Sequence, residues 1–120
     1  MNGPCIGDVL QELVFSHHGT IEELIDKYFA DDYVHRFNGT VHTRAEFAAM
    51  AKAARAQIVK GTVTTLEEFC AGDCYAERHL LDVTSTDGST ERTEVYVIGR
   101  YSDDGRFARI NEAAVRLSSS

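Results

Sequence analysis

The sequence has no apolar run approaching the ~18 residues needed to cross a bilayer, so no membrane span is expected. Its first residues, MNGPCIGDVLQELVF, lack a basic opening and a continuous apolar core, so no secretory signal is read. Lys and Arg form no cluster and the net charge is −7. That excludes the electrostatic footprint of a nucleic-acid binder and of a protein held on anionic lipid. There is no Gly-rich phosphate loop, no H-E-x-x-H and no clustered Cys/His set, so neither a metal nor a cofactor is expected. Three cysteines, an odd number without a C-x-x-C pair, fit a reduced compartment, and the expected location is cytoplasmic. Cys70 and Cys74 flank a turn and are expected to stay reduced and packed. No repeat or linker divides the chain, so residues 1–120 read as one domain, with only the final SSS disordered.

What is present begins as helix. Val9, Leu10, Leu13 and Val14 share one helical face, with Asp8 placed to cap the start and His17, His18 and Gly19 to close it. Thr20 and Glu23 have the spacing of a capping box, followed by the stripe Ile21, Leu24, Ile25, Tyr28, Phe29. Thr43 and Glu46 repeat the box before a third, alanine-rich helix with Phe47, Met50, Ala51, Ala54 and Ile58 on one face, ended by Lys60-Gly61. Between these two helices lies DDYVHRFNG, a short strand running into an Asn-Gly turn signal.

From Thr62 the period changes from 3.6 to 2. TVTTLEEFC, CYAERHLLDV, ERTEVYVIGRY and RFARINEAAVRL read as four strands joined by turns at AGD, Asp87-Gly88 and SDDG. The expected fold is α+β: a cone-shaped half-barrel, its curved antiparallel sheet wrapped on three N-terminal helices. Strands this long must curl. A curled sheet closed by helices leaves a pocket suited to a small molecule.

Two strand faces bear on chemistry. In the last strand Ala108, Ile110, Glu112 and Ala114 share a side, with Arg109, Asn111 and Arg116 expected on the other. Glu112 is then a carboxylate among apolar neighbours, which needs a partner or takes up a proton. In CYAERHLLDV one face carries Ala76, Arg78, Leu80 and Asp82 and the other Glu77, His79, Leu81 and Val83. Both are mixed. Arg78, if inward, is the partner for Glu112; His79 with Glu77, and Leu81 with Val83, then face out. A two-residue turn at Asp87-Gly88 opposes Arg78 to Val97, and a three-residue bulged loop opposes it to Tyr96.

ADDYVHRFNGTVHTRAEF, CYAERHLLDV and DDGRFARINEAAV, in this order across residues 8–117, resemble the nuclear transport factor 2-like superfamily. The nearest branches are the SnoaL-like polyketide cyclases and the limonene-epoxide hydrolases. The resemblance implies the cone fold, a ligand pocket inside it, and a homodimer through the outer sheet face. The hydrolases' Tyr-x-Asn stands here as Tyr33-Val34-His35, their Glu-Arg-x-Asp as Glu77-Arg78-His79-Leu80, and their last-strand Asp as Glu112. By that correspondence Leu80 removes one of two carboxylates, which disfavours epoxide opening. The expected catalytic group is Tyr33, His35, Arg78 and Glu112, with Leu80, Asp82, Glu94, Tyr96 and Ile110 against the ligand. The expected ligand is a small apolar or amphipathic molecule bearing oxygen. The expected chemistry is isomerisation, cyclisation, dehydration or hydration, or else non-catalytic binding or dimerisation on the same fold.

Overall fold

The computed structural model describes residues 3–120. Helix α1 spans Ile6–Leu10 and continues as a π-helical stretch over Gln11–Phe15; α2 spans Ile21–Tyr28 and α3 Arg44–Gln57. The strands are β1 (Phe29–Phe37), β2 (Thr40–Thr43), β3 (Ile58–Ala71), β4 (Cys74–Ser85), β5 (Thr90–Tyr101) and β6 (Phe107–Ser119). They form one sheet in the order β2-β1-β6-β5-β4-β3. The α+β half-barrel is present as expected: a curved, unclosed sheet with the helices against its concave face.

Local chemistry explains the helix starts. Both capping boxes form, Thr20 with Glu23 and Thr43 with Glu46, so two orphan donors at each start are satisfied reciprocally. Helix ends are held from far away. Arg44 donates to the carbonyls of Ala30 and Phe29 at 2.9 and 3.0 Å, and Arg106 to those of Asp26 and Phe29 at 3.0 Å each. Arg55 does the same for Glu12, Leu13 and Gly19. These guanidinium groups occupy carbonyls that a helix end leaves without partners. They let α2 turn directly into β1.

Several boundaries differ from the sequence reading. The first helix starts at Ile6, with Asp8 inside its first turn, and it ends at Phe15, ahead of His17 and His18. The last helix ends at Gln57, and Ile58 to Gly61 are already strand. Gly61 is needed there for space: a Cβ would come within 2.2 Å of the Phe15 ring, which lies over its backbone. A strand absent from the sequence reading, β2, pairs with β1 through a turn in which Asn38 and Gly39 take φ of 45° and 90°, as a type I′ hairpin demands.

The sheet bends at irregularities. The register shifts between Thr65 and Glu67, Arg92 and Thr93, and Arg100 and Tyr101. Such bulges add local twist and allow strands of 12 to 14 residues to coil. The narrow end of the cone is an aromatic cluster in which Tyr75, Tyr101 and Phe107 lie 5.0–5.8 Å apart, centre to centre. Val9, Leu13, Ile21, Leu24 and Ile25 pack from the helices.

Candidate active site

Register decides which side chains face the interior, because opposed residues of an antiparallel pair share a face. The loop after β4 closes with Gly88 N–H donating to the Ser85 carbonyl at 2.9 Å, and Gly88 has φ 85°. This is the three-residue alternative, and Arg78 opposes Tyr96. Consequently Glu77, Val97 and Glu112 form one row across β4, β5 and β6, and His79, Val95 and Ala114 form the next. Val95 and Val97 are buried, so these rows point inward.

β1 delivers Tyr33 and His35 to the same interior, and both are buried. The Tyr33 hydroxyl lies 2.7 Å from Nδ1 of His35. Nε2 of His35 lies 2.9 Å from Oε1 of Glu112. A carboxylate accepts, so the ring donates from Nε2 and accepts the tyrosine O–H at Nδ1. The three groups form one directed chain from β1 to β6. Both nitrogens of His35 are thereby used. Phe47 of α3 covers the pair, its ring centre 4.5 Å from that of His35 and 5.2 Å from that of Tyr33.

Burial pushes the Tyr33 hydroxyl well above the usual phenol range, and the charge of Glu112 adds to the shift. Tyr33 therefore stays a donor. Glu112 keeps 20% of its side chain exposed, so it is the member of the chain that solvent reaches. Asn38 fixes the strand on either side of it: its N–H donates to the Glu112 carbonyl at 3.0 Å, and its Oδ1 accepts from the Ala114 N–H at 2.9 Å.

A second pair lies on β4. Nδ1 of His79 is 2.6 Å from Oε1 of Glu77, and the side chains are 1% and 0% exposed. Nε2 of His79 and Oε2 of Glu77 have no hydrogen-bond partner among the described residues.

Of the sequence-predicted site, the structure brings together Tyr33, His35 and Glu112, with Ile110 buried beside them. Arg78 does not join them. It points outward between Glu67 and Glu94, at 3.0 and 2.8 Å. Leu80, Asp82, Glu94 and Tyr96 are on that outer face too; Asp82 pairs there with Arg92 at 2.7 Å, and Tyr96 is 47% exposed. Conversely His79, Glu77, Leu81 and Val83, expected outside, are on the inner face, as is Arg116, at the mouth beside Glu91. The physical reason is the parity set by the bulged loop. The inward positions on β4 that the resemblance gives to Arg78 and Leu80 are held by Glu77 and His79, so Leu80 has no bearing on epoxide chemistry.

A cleft of about 510 Å³ opens at the mouth between Ala54, Gln57, Ile58, Val83 and Glu91. None of its lining residues belongs to either His–Glu pair. Among the described residues no group of three His, Cys, Asp or Glu is placed to hold a metal ion. Cys70 and Cys74 are free but exposed rather than packed. Among the described residues no helix is long and apolar enough to cross a membrane.

No family model matches the chain, and no curated protein does. Solved structures do. A proposed polyketide cyclase from Acidithiobacillus ferrooxidans superposes with a TM-score of 0.71 at 19% identity, covering 92% of this chain and 84% of that one. A proposed isomerase of the SnoaL-like family from Agrobacterium tumefaciens gives 0.66 at 14%, covering 90% and 92%. A protein with a ketosteroid isomerase-like fold from Catenulispora acidiphila, solved in complex with trimethylamine, gives 0.67 at 15%, covering 88% and 80%. The chain shares the fold of these structures.

Proposed function

We propose that this fold serves here as an acid–base site, in which Glu112 exchanges a proton with a small, largely apolar ligand inside the cone. The observation that carries this reading is the chain Tyr33–His35–Glu112. It saturates His35 and leaves Glu112 as the accessible acceptor. His35 and Tyr33 are then positioning residues. They hold the carboxylate against the wall and keep one oxygen directed, which is what a general base requires. Removal of a proton next to a carbonyl is the step common to isomerisation, cyclisation and dehydration. The similarity in fold to a proposed cyclase and a proposed isomerase supports the class of chemistry and names no substrate.

Access from the mouth would run past Leu81, Thr93 and Ala114, all half-buried. Leu81 and Ala114 on the way are apolar, which suits a ligand with few charges. The partner inferred for the outer sheet face is a second copy of the chain, since Phe69, Ile98 and Val115 are more than half exposed there.

The test is deuterium uptake. A panel of enolisable cyclic ketones is incubated with the protein in heavy water and followed by NMR. Wild type is expected to label the carbon beside the carbonyl of at least one, and Glu112→Gln to slow it about 10²–10⁴-fold. Ketones that bind without any labelling would instead make the fold a non-catalytic ligand carrier.

A further inference from the structure

His79 is a buried histidine whose ring is half satisfied. Glu77 holds Nδ1 at 2.6 Å, a charge-assisted contact that fixes the proton on that nitrogen. In the neutral ring Nε2 then carries a lone pair, and no group of the described residues donates to it. Oε2 of Glu77 is in the same position. A buried acceptor left without a donor costs roughly 1–3 kcal/mol, so two of them side by side are a feature the core would discard if packing alone shaped it.

Their placement adds a second observation. Glu77 and Glu112 share one row with Val97 between them. Two strand spacings of ~4.8 Å separate their backbones by roughly 10 Å. Each carboxylate bonds a different histidine, and the histidines differ: His35 is fully bonded, whereas His79 keeps one nitrogen open. The rows from Tyr75 to Ala114 contain no Lys or Arg. Arg116, nearer the mouth, is engaged with Glu91 at 3.2 Å.

We propose that Glu77 and His79 form a second polar anchor of the interior, one that takes the hydroxyl or enol O–H of a neutral ligand whose other end reaches Glu112. The ligand donates its O–H to Nε2 of His79. If the proton transfers, it comes to rest on Nε2, the ligand oxygen keeps the electron pair, and the imidazolium stands against the Glu77 carboxylate. The interior selects against carboxylates and phosphates, because those rows carry the acidic side chains of Glu68, Glu77 and Glu112 and no cation. This inference rests on the reading of the interior as a ligand site, and it specifies what the ligand must present.

The probes are three naphthalenes of similar size: naphthol, methoxynaphthalene and naphthoate. The readout is the imidazole ¹⁵N resonances of the wild-type protein. In the free protein Nε2 of His79 is expected to be unprotonated. Naphthol should move that resonance; methoxynaphthalene, which lacks the donor, should leave it in place, and naphthoate should not bind. His79→Gln should weaken naphthol about tenfold and leave methoxynaphthalene unchanged. The wild-type measurement stands even if that variant fails to fold. A His79 resonance unmoved by naphthol, a protonated Nε2 in the free protein, or no naphthol binding overturns the anchor. Loss of ketone labelling in Glu112→Gln alongside an unmoved His79 resonance rejects the anchor alone. A moved resonance with no labelling of any ketone keeps the anchor and rejects proton exchange at Glu112.

Discussion

His35 Nε2 meets Glu112 Oε1 at 2.9 Å, and this contact crosses from β1 to β6, the two strands of the sheet that run parallel. It joins residues 77 positions apart in sequence. Removing the ring leaves the Tyr33 hydroxyl buried without an acceptor and Glu112 without a donor. His35→Leu is therefore expected to cost about 2–4 kcal/mol, and Tyr33→Phe about 1 kcal/mol. Because the two share one chain of hydrogen bonds, the double variant should cost less than the sum. Urea denaturation of the four proteins gives the coupling. Strict additivity would mean that the hydroxyl and the ring do not interact.

The buried tyrosines set a limit on alkaline stability. Tyr33, Tyr75 and Tyr101 are all raised above the ordinary phenol value, each chiefly by burial. The folded chain then holds protons that the unfolded chain releases from about pH 10 upward. Stability from these groups is complete below that pH and falls as pH rises. Near-ultraviolet titration should show these three of the five tyrosines ionising only as the fold is lost. Five phenolates formed in one early step with the circular dichroism intact would contradict it.

Asn38 carries two duties at one position. It adopts φ 45°, and its side chain and backbone bracket Glu112 on β6. Asn is among the few residues that enter this region at low cost. Asn38→Ala should lose roughly 1–3 kcal/mol from the strain and the orphaned Ala114 N–H. Thermal unfolding measures the loss. Hydrogen exchange should show the Ala114 amide less protected, and an unchanged amide would rule out the bracket.

Much of this was legible in the sequence because it is local. Two capping boxes, the change of period and the one-sided pattern around Glu112 depend on residues a few positions apart. The faces of β4 are different, since each is mixed and neither identifies itself. The deciding signal lay on β5, where Val95, Val97 and Tyr101 alternate with Glu94, Tyr96 and Arg100. Carried across a three-residue loop, that alternation turns Glu77 and His79 inward. The arginines that cap α2 and the π-helical stretch were not legible, because each acts over 14 or more positions.

The outward Arg78 yields a prediction that separates the two arrangements. Arg78→Leu should leave the ¹³C resonance of the Glu112 carboxyl at neutral pH where it is in wild type. It should also leave the ketone labelling rate unchanged. A shifted Glu112 would place the guanidinium beside it after all, in conflict with its contacts to Glu67 and Glu94.

The outer face is where Arg78 belongs, and it supplies the last test. Phe69, Ala76 and Ile98 lie in one row, with Tyr96 and Ala113 in the next and Leu80 and Val115 beyond. Ile98 is 65% exposed and Phe69 63%, so apolar surface continues across four strands, with the Glu67–Arg78–Glu94 cluster within it and the Asp82–Arg92 and Asp73–Arg100 pairs beside it. A stable pair of copies through such a face would bury about 1,600 Å² in total. Ile98→Glu puts a carboxylate into its centre while leaving the monomer's core untouched. Sedimentation at micromolar concentration should give twice the chain mass for wild type and a single chain for the variant, with the same far-ultraviolet spectrum. A wild-type protein that sediments as one chain would leave this face without a second copy.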